Sequence, residues 1–208
     1  MIFDDILPGL DERAFITGWS GSGKTTLLRE ILREQDGVVV VDPKHTFTPH
    51  TDDEDKYETA CSVSEAVKAI DDGSNIIFRP DVLGDGSDIA EMLREIYQRG
   101  NLTLAIDECY GLHEARNRDV EKFLRAILTR GRELQIAVIA ASQRPSWIPL
   151  FYLSESNRFY LFGLKLPNDK KRMSDVTGIS VRMQDELEQY WFWYSDNNTE
   201  PLKVTLNL

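Results

Sequence analysis

The 208-residue sequence predicts an α/β fold with a mostly parallel central sheet flanked by helices, closed at its C-terminal end by antiparallel strands. Short apolar runs such as Val38-Val39-Val40-Val41 and Ile136-Ala137-Val138-Ile139-Ala140-Ala141 have the uninterrupted hydrophobicity of strands buried on both faces. Between them lie segments with apolar residues at helical spacing, so strand and helix alternate. A third observation is Gly18-Trp19-Ser20-Gly21-Ser22-Gly23-Lys24-Thr25, a complete match to the phosphate-binding P-loop pattern, set directly after the apolar run Ala14-Phe15-Ile16.

The elements follow in order. Ala14-Phe15-Ile16 is the first strand, and Thr26-Leu27-Leu28-Arg29-Glu30-Ile31-Leu32 is an amphipathic helix after the glycine loop. Gly37 introduces the valine strand, which stops at Asp42-Pro43. Asp52-Asp53-Glu54-Asp55 reads as an exposed acidic loop. Ser62-Val63-Ser64-Glu65 is a capping box that opens a helix through Ile70, and Asn75-Ile76-Ile77-Phe78 is the next strand. Ile89, Met92, Leu93 and Ile96 stripe a helix over 87–99, followed by the strand Leu102-Thr103-Leu104-Ala105-Ile106. A helix over about 120–130 leads into the strand ending at Ala141. Beyond Pro149 come a strand over 158–162, a short helix over 169–176 and a hairpin of Gln189-Tyr190-Trp191-Phe192-Trp193-Tyr194 with Leu202-Lys203-Val204-Thr205-Leu206. The aromatic run reads as a sheet edge packed on the core in preference to a base-stacking platform, because its partner strand is apolar. The whole chain, 1–208, reads as a single domain with a core over about 14–165 and a C-terminal helix-and-hairpin extension over about 166–208.

The formal net charge of −11 excludes a generally basic, DNA-coating surface, so any nucleic-acid contact must be local. No apolar run approaches a membrane span and the first residues carry acids where a secretion signal needs bases, so an intracellular protein with reduced Cys61 and Cys109 is the expectation.

The glycines of the P-loop let consecutive backbone N–H groups turn toward a chain of phosphates at the positive end of the following helix. Gly18, Trp19, Ser20, Gly21, Ser22, Gly23, Lys24, Thr25 and Thr26 are therefore the candidate ATP-binding residues, with Lys24 on the β and γ phosphates and Thr25 on Mg²⁺. Asp107 and Glu108 end an apolar strand, where the switch point of such a sheet aims side chains at the phosphates. Asp107 suits Mg²⁺ and Glu108 suits the general base for water, a pairing that favours hydrolysis coupled to motion over a nucleoside kinase or small GTPase. Gln143 closes the strand after them and reads as the sensor of the γ-phosphate. In Thr129-Arg130-Gly131-Arg132-Glu133, Arg132 is favoured over Arg130 as a guanidinium that reaches a neighbouring subunit's γ-phosphate.

This set, with Val41-Asp42-Pro43-Lys44 and Ala141-Ser142-Gln143-Arg144-Pro145, resembles the FtsK–HerA superfamily of DNA-pumping ATPases over residues 14–145, and most closely the genome-packaging ATPases of tailless icosahedral double jelly-roll viruses. The resemblance implies a RecA-like core with an extra strand between the P-loop and Asp107 strands. It also implies a homo-oligomeric ring, expected to be a hexamer, that hydrolyses ATP with Mg²⁺ between subunits and translocates double-stranded DNA. A capsid vertex or membrane proteins would be further partners, and the host cytoplasm or the virion the location. Arg116 and Arg118 are the candidate DNA contacts, with Lys122 a weaker one and Lys44 and His45 more in keeping with loop residues. A cellular or conjugative DNA translocase of the same superfamily is the alternative, and a P-loop kinase or nucleotide switch is the reading from another class. Trp19 departs from the small residues usual inside such a loop, and the sequence leaves its packing open between nucleotide and neighbour.

Overall fold

The protein is described from a computed structural model covering residues 6–9, 11–81, 84–114, 116–196 and 198–206. In chain order the strands and helices are β1 (Arg13–Thr17), α1 (Lys24–Arg33), β2 (Val38–Val41), β3 (Tyr57–Ala60), α2 (Val63–Asp71), β4 (Asn75–Phe78), α3 (Ser87–Arg99), β5 (Leu102–Ile106), α4 (Arg118–Arg130), β6 (Ile136–Ser142), α5 (Phe151–Ser154), β7 (Arg158–Phe162), α6 (Pro167–Thr177), α7 (Val181–Asp185), β8 (Trp191–Ser195) and β9 (Leu202–Thr205). Among the described residues the strands form one sheet in the order β3-β4-β2-β5-β6-β1-β7-β8-β9. Every pairing from β3 to β7 is parallel, and β8 and β9 add to it antiparallel.

Strand side chains alternate between two cores, as a period of two requires. Val39, Val41, Phe15, Phe159 and Leu161 face a layer built by α2, α3 and α4. Val38, Val40, Ile16, Tyr160 and Phe162 face the layer holding Leu27, Leu28, Ile31 and Leu32 of α1. The aromatic run of β8 follows the same rule: Phe192 and Tyr194 pack on Tyr160 and Phe162, so it is a wall of the core and not a stacking platform.

Three features differ from the sequence reading. Asp52-Asp53-Glu54-Asp55 lies in a 3-10 turn, Thr51–Lys56, and Asp53 within it is buried, bridged to Lys56 at 2.7 Å and Arg33 at 3.2 Å. The edge strand β3 follows it; its sequence Tyr-Glu-Thr-Ala has no apolar run because only Ala60 is buried. The short helices α5 and α7 also escape periodicity, being about one turn each. By contrast the capping box at Ser62 and Glu65 is present with both of its hydrogen bonds.

Strand β6 lies between β5 and β1, the extra-strand arrangement that the resemblance implied. The C-terminal ends of β1, β5 and β6 therefore stand side by side, and Thr17 ties two of them by donating its hydroxyl to the carbonyl of Ser142 at 2.8 Å.

Candidate nucleotide site

The loop from β1 to α1 turns on two left-handed glycines, Gly21 at φ 82° and Gly23 at φ 115°. Gly18 is required for a different reason: a β-carbon there would stand 2.5 Å from Cβ of Phe162 and 2.6 Å from Oγ of Ser22. Trp19 packs within its own chain. Its N–H donates to the carbonyl of Gly163 at 3.0 Å, its indole fills the space beside that glycine, and the Lys165 ammonium lies 5.9 Å from the ring.

The outer wall of the loop comes from the hairpin segment, which sequence reasoning did not connect to it. Gln189 donates its side-chain amide to the carbonyl of Gly21 at 3.1 Å, Tyr190 donates its N–H to the carbonyl of Ser22 at 3.0 Å, and Leu206 donates to Tyr190 in turn. Tyr190 takes a left-handed φ of 65° to make this turn. No local pattern signals such a contact between residues far apart in sequence.

Lys24 is buried and donates from Nζ to the carbonyl of Trp19 at 3.0 Å. Burial lowers its pKa to about 8 against the favourable pull of Glu108 and Asp107. Thr25, in the first turn of α1, has its hydroxyl 3.4 and 3.5 Å from the two oxygens of Asp107. Asp107 is raised above the usual carboxylate range by burial and by the nearby Asp42 carboxylate, against the lowering effects of Lys24 and Thr25. Thr26 follows Thr25 and is half-buried, while Ser20 at the loop's tip is exposed.

The residues fit a polyphosphate. Among the described residues Ser22 Oγ is buried without a hydrogen-bond partner, the loop has the left-handed glycines that let N–H groups turn toward an anion, and a buried ammonium stands beside them. A hard divalent cation fits the adjoining oxygen donors, the Thr25 hydroxyl and the Asp107 carboxylate.

Glu108 is buried and sits in the left-handed region, φ 73° and ψ 70°, at the start of the 3-10 turn Cys109–His113. Such a conformation in a non-glycine residue costs on the order of 1–3 kcal/mol and persists where surrounding contacts determine it. Here they are the Ser142 hydroxyl, donating to Oε1 at 3.0 Å, the Gln143 N–H at 3.2 and 3.3 Å from the two oxygens, and the Lys44 ammonium 3.1 Å from Oε2. Gln143 thus engages Glu108 through its backbone N–H. Lys44 lies in the loop after β2, as expected, and pairs with Glu108. A cavity of about 170 Å³ opens beside this pair, lined by Lys44, Glu108, Tyr110, Gln143, Arg144 and Trp147.

Arg132 lies elsewhere. It is in the turn that enters β6, at the opposite end of the strand from Ser142, exposed and 3.2 Å from Asp11. Seven residues of strand separate it from the site by roughly 20 Å, so it does not reach its own chain's P-loop. Arg130 is exposed at the end of α4. Arg116, at φ 50°, and Arg118, the first residue of α4, are exposed near the site end of the sheet.

A family model described as an AAA domain matches residues 12–146. The chain belongs to the AAA domain family. Its match runs from β1 through the loop after β6 and so contains the P-loop and the ends of β2, β5 and β6. The DNA packaging ATPase P9 of Enterobacteria phage PRD1 is 32% identical over 102 residues, which is 49% of this chain and 42% of that protein, so the match spans less than half of the relative. The genome packaging NTPase B204 of Sulfolobus turreted icosahedral virus 2, solved in complex with AMPPCP, superimposes with a TM-score of 0.70 at 18% identity over 96% of this chain and 100% of that one. VirB4 of Thermoanaerobacter pseudethanolicus gives a TM-score of 0.70 at 10% identity, covering 97% and 93%. At these identities the two structures establish a shared fold.

Proposed function

We propose that this AAA-domain chain is an ATP-hydrolysing motor of the FtsK–HerA type that translocates double-stranded DNA, its main role being genome packaging into a preformed viral capsid. The observation that carries the reading is Glu108 held beside Asp107 at the end of β5, with β6 and its Ser142–Gln143 terminus between it and the P-loop. The likeness to the packaging ATPase of phage PRD1 supports DNA as the cargo.

In this reading Lys24 and the backbone of residues 18–26 hold the phosphates, apart from the N–H groups of Trp19 and Ser22, which are bonded to Gly163 and Trp19, and the hydroxyl of Thr25 with the carboxylate of Asp107 would hold Mg²⁺, which supplies charge neutralisation on the phosphate oxygens. Glu108 orients and deprotonates the attacking water, and Gln143 links that carboxylate to the end of β6. Arg132 acts on the site of a neighbouring copy, which requires a homo-oligomeric ring; six subunits is the expectation from the resemblance. Arg116 and Arg118 contact DNA phosphates, the ring concentrating basic charge that a chain of net charge −11 otherwise lacks. Assembly at a capsid vertex, in the host cytoplasm or on the virion, follows from the same reading. Among the described residues no helix is long and apolar enough to cross a membrane.

The test is phosphate release with and without long duplex DNA. Stimulation by DNA in the wild type, its loss in the Arg116→Glu, Arg118→Glu double variant with basal turnover kept, and loss of all turnover in Glu108→Gln are the expected results. Turnover that ignores DNA, or that requires a small-molecule acceptor, would overturn the motor in favour of a kinase or switch.

A further inference from the structure

The loop leaving β2 is constructed so as to present one side chain. Asp42 is fully buried, and its oxygens accept the N–H groups of Thr46 at 3.2 Å and Phe47 at 2.9 Å. Arg79, just past β4, lies 3.4 Å from Asp42 and donates to the carbonyl of Phe47 at 3.1 Å. His45 adopts φ 56° with its ring nitrogen 2.9 Å from the carbonyl of Pro80. The backbone on both sides of Lys44 is therefore fixed, while Lys44 itself is 47% exposed, with a long flexible stem and an ammonium on Glu108.

That ammonium occupies a consequential position. Oε1 of Glu108 accepts from the Ser142 hydroxyl and the Gln143 N–H; Oε2 faces the Gln143 N–H and Lys44. With these donors in place the carboxylate has little acceptor capacity left for a water molecule. The Gln143 N–H belongs to the backbone at the end of β6 and the Ser142 hydroxyl is short and buried there; Lys44 is the one donor of the set on a long, half-exposed side chain. Lys24, beside the P-loop, is close enough to interact electrostatically with both Glu108 and Lys44.

We propose that Lys44 is a second phosphate-binding cation of this site, one that exchanges Glu108 for the terminal phosphate of a nucleoside triphosphate and so frees the carboxylate for water. This rests on the nucleotide-hydrolysis reading above and is independent of DNA. The direction of the exchange follows from charge: a terminal phosphate offers more negative charge and more acceptor oxygens than one carboxylate. A diphosphate ends at the β-phosphate and places nothing at the γ position, so Lys44 stays on Glu108. The same residue then sets both the preference for triphosphate and the availability of the base.

The experiment is equilibrium binding of ADP and of a non-hydrolysable ATP analogue to the wild type, Lys44→Met, Lys44→Arg, Glu108→Gln and the Lys44→Met, Glu108→Gln double variant. Lys44→Met is expected to weaken the analogue about tenfold while leaving ADP within about twofold, the size of one charge-assisted contact. Lys44→Arg, which keeps the charge, is expected to restore most of the loss. Glu108→Gln, which removes the competing carboxylate, should tighten the analogue several-fold in the Lys44 background and not in Lys44→Met. Equal weakening of both nucleotides by Lys44→Met, no weakening of either, or equal tightening by Glu108→Gln in both backgrounds would overturn the proposal. A wild type that binds neither nucleotide would overturn the hydrolysis reading together with it, whereas absence of a DNA response would leave it standing.

Discussion

Trp19 and Gly163 occupy each other's space: a β-carbon on Gly163 would stand 2.0 Å from Cζ3 of the indole, and the Trp19 N–H donates to the Gly163 carbonyl. The bulky residue inside the glycine loop is thus matched by the absence of a side chain at the end of β7. Gly163→Ala should destabilise the fold by about 1–3 kcal/mol, the usual range for overpacking a filled site. In a Trp19→Ala background the same substitution should cost little, because the indole that it strikes is gone. Chemical denaturation of the two single variants and the pair measures the coupling, and a Gly163→Ala protein as stable as wild type would show that the indole has another place to go.

Burial makes Lys24 a cost to folding that ligand binding offsets. Its folded pKa of about 8 lies below the unfolded value of 10.5, so the unfolded chain binds more protons between those limits. The penalty is fully present below about pH 8 and declines as pH rises toward 10.5. Lys24→Met should therefore be more stable than wild type near pH 7, by about 1–3 kcal/mol, with the gap closing from pH 8 to 10. The variant should also lose nucleotide affinity, and wild-type affinity should fall as pH passes about 8. Thermal melts and nucleotide titrations over pH 6–10 give both curves; a gap that widens with pH contradicts the assignment.

Asp169, buried in α6, accepts Nε of Arg144 at 2.9 Å and the N–H of Ser146 at 2.9 Å, which anchors the loop after β6. Arg144 in turn lies 3.8 Å from the centre of the Trp147 ring. Asp169→Ala should cost about 3 kcal/mol, because a partly buried guanidinium loses its counter-charge. Asp169→Asn, which keeps an acceptor, should cost less. Denaturant midpoints rank the three proteins.

The position of Arg132 at the far end of β6 makes a cross-subunit role the only catalytic one open to it. Arg132→Ala and Lys24→Ala subunits should each be inactive alone, and mixtures should regain part of the hydrolysis rate. Mixtures as inactive as their components would remove Arg132 from the mechanism.

Much of this site was legible because its chemistry lies in short contiguous motifs. Gly18 to Thr25, Asp107-Glu108 and Ser142-Gln143 each end a strand whose apolar run is visible in the sequence, and a parallel sheet brings such ends together. Lys44 was visible as a residue but not as a partner, because its contact with Glu108 depends on a loop shaped by Asp42 and Arg79. The backing of the P-loop by Gln189 and Tyr190 depends on β8 joining the sheet beside β7, which pairing rules permit and local sequence does not specify. Strand β3 was missed for a simpler reason: at the sheet edge its solvent-facing positions are polar and leave no apolar signature.

The hydrogen bonds from Leu206 to Tyr190 and from Tyr190 to Ser22 place the terminal hairpin and the glycine loop mechanically in series. Only two backbone hydrogen bonds, with no helix between them, separate the residue after β9 from the phosphate loop. With Gln189 bonded to Gly21 beside it, the left-handed turn at Tyr190 makes the chain on either side of β8 and β9 part of the wall of the phosphate loop, so the outer edge of the sheet and the site share one hydrogen-bonded frame.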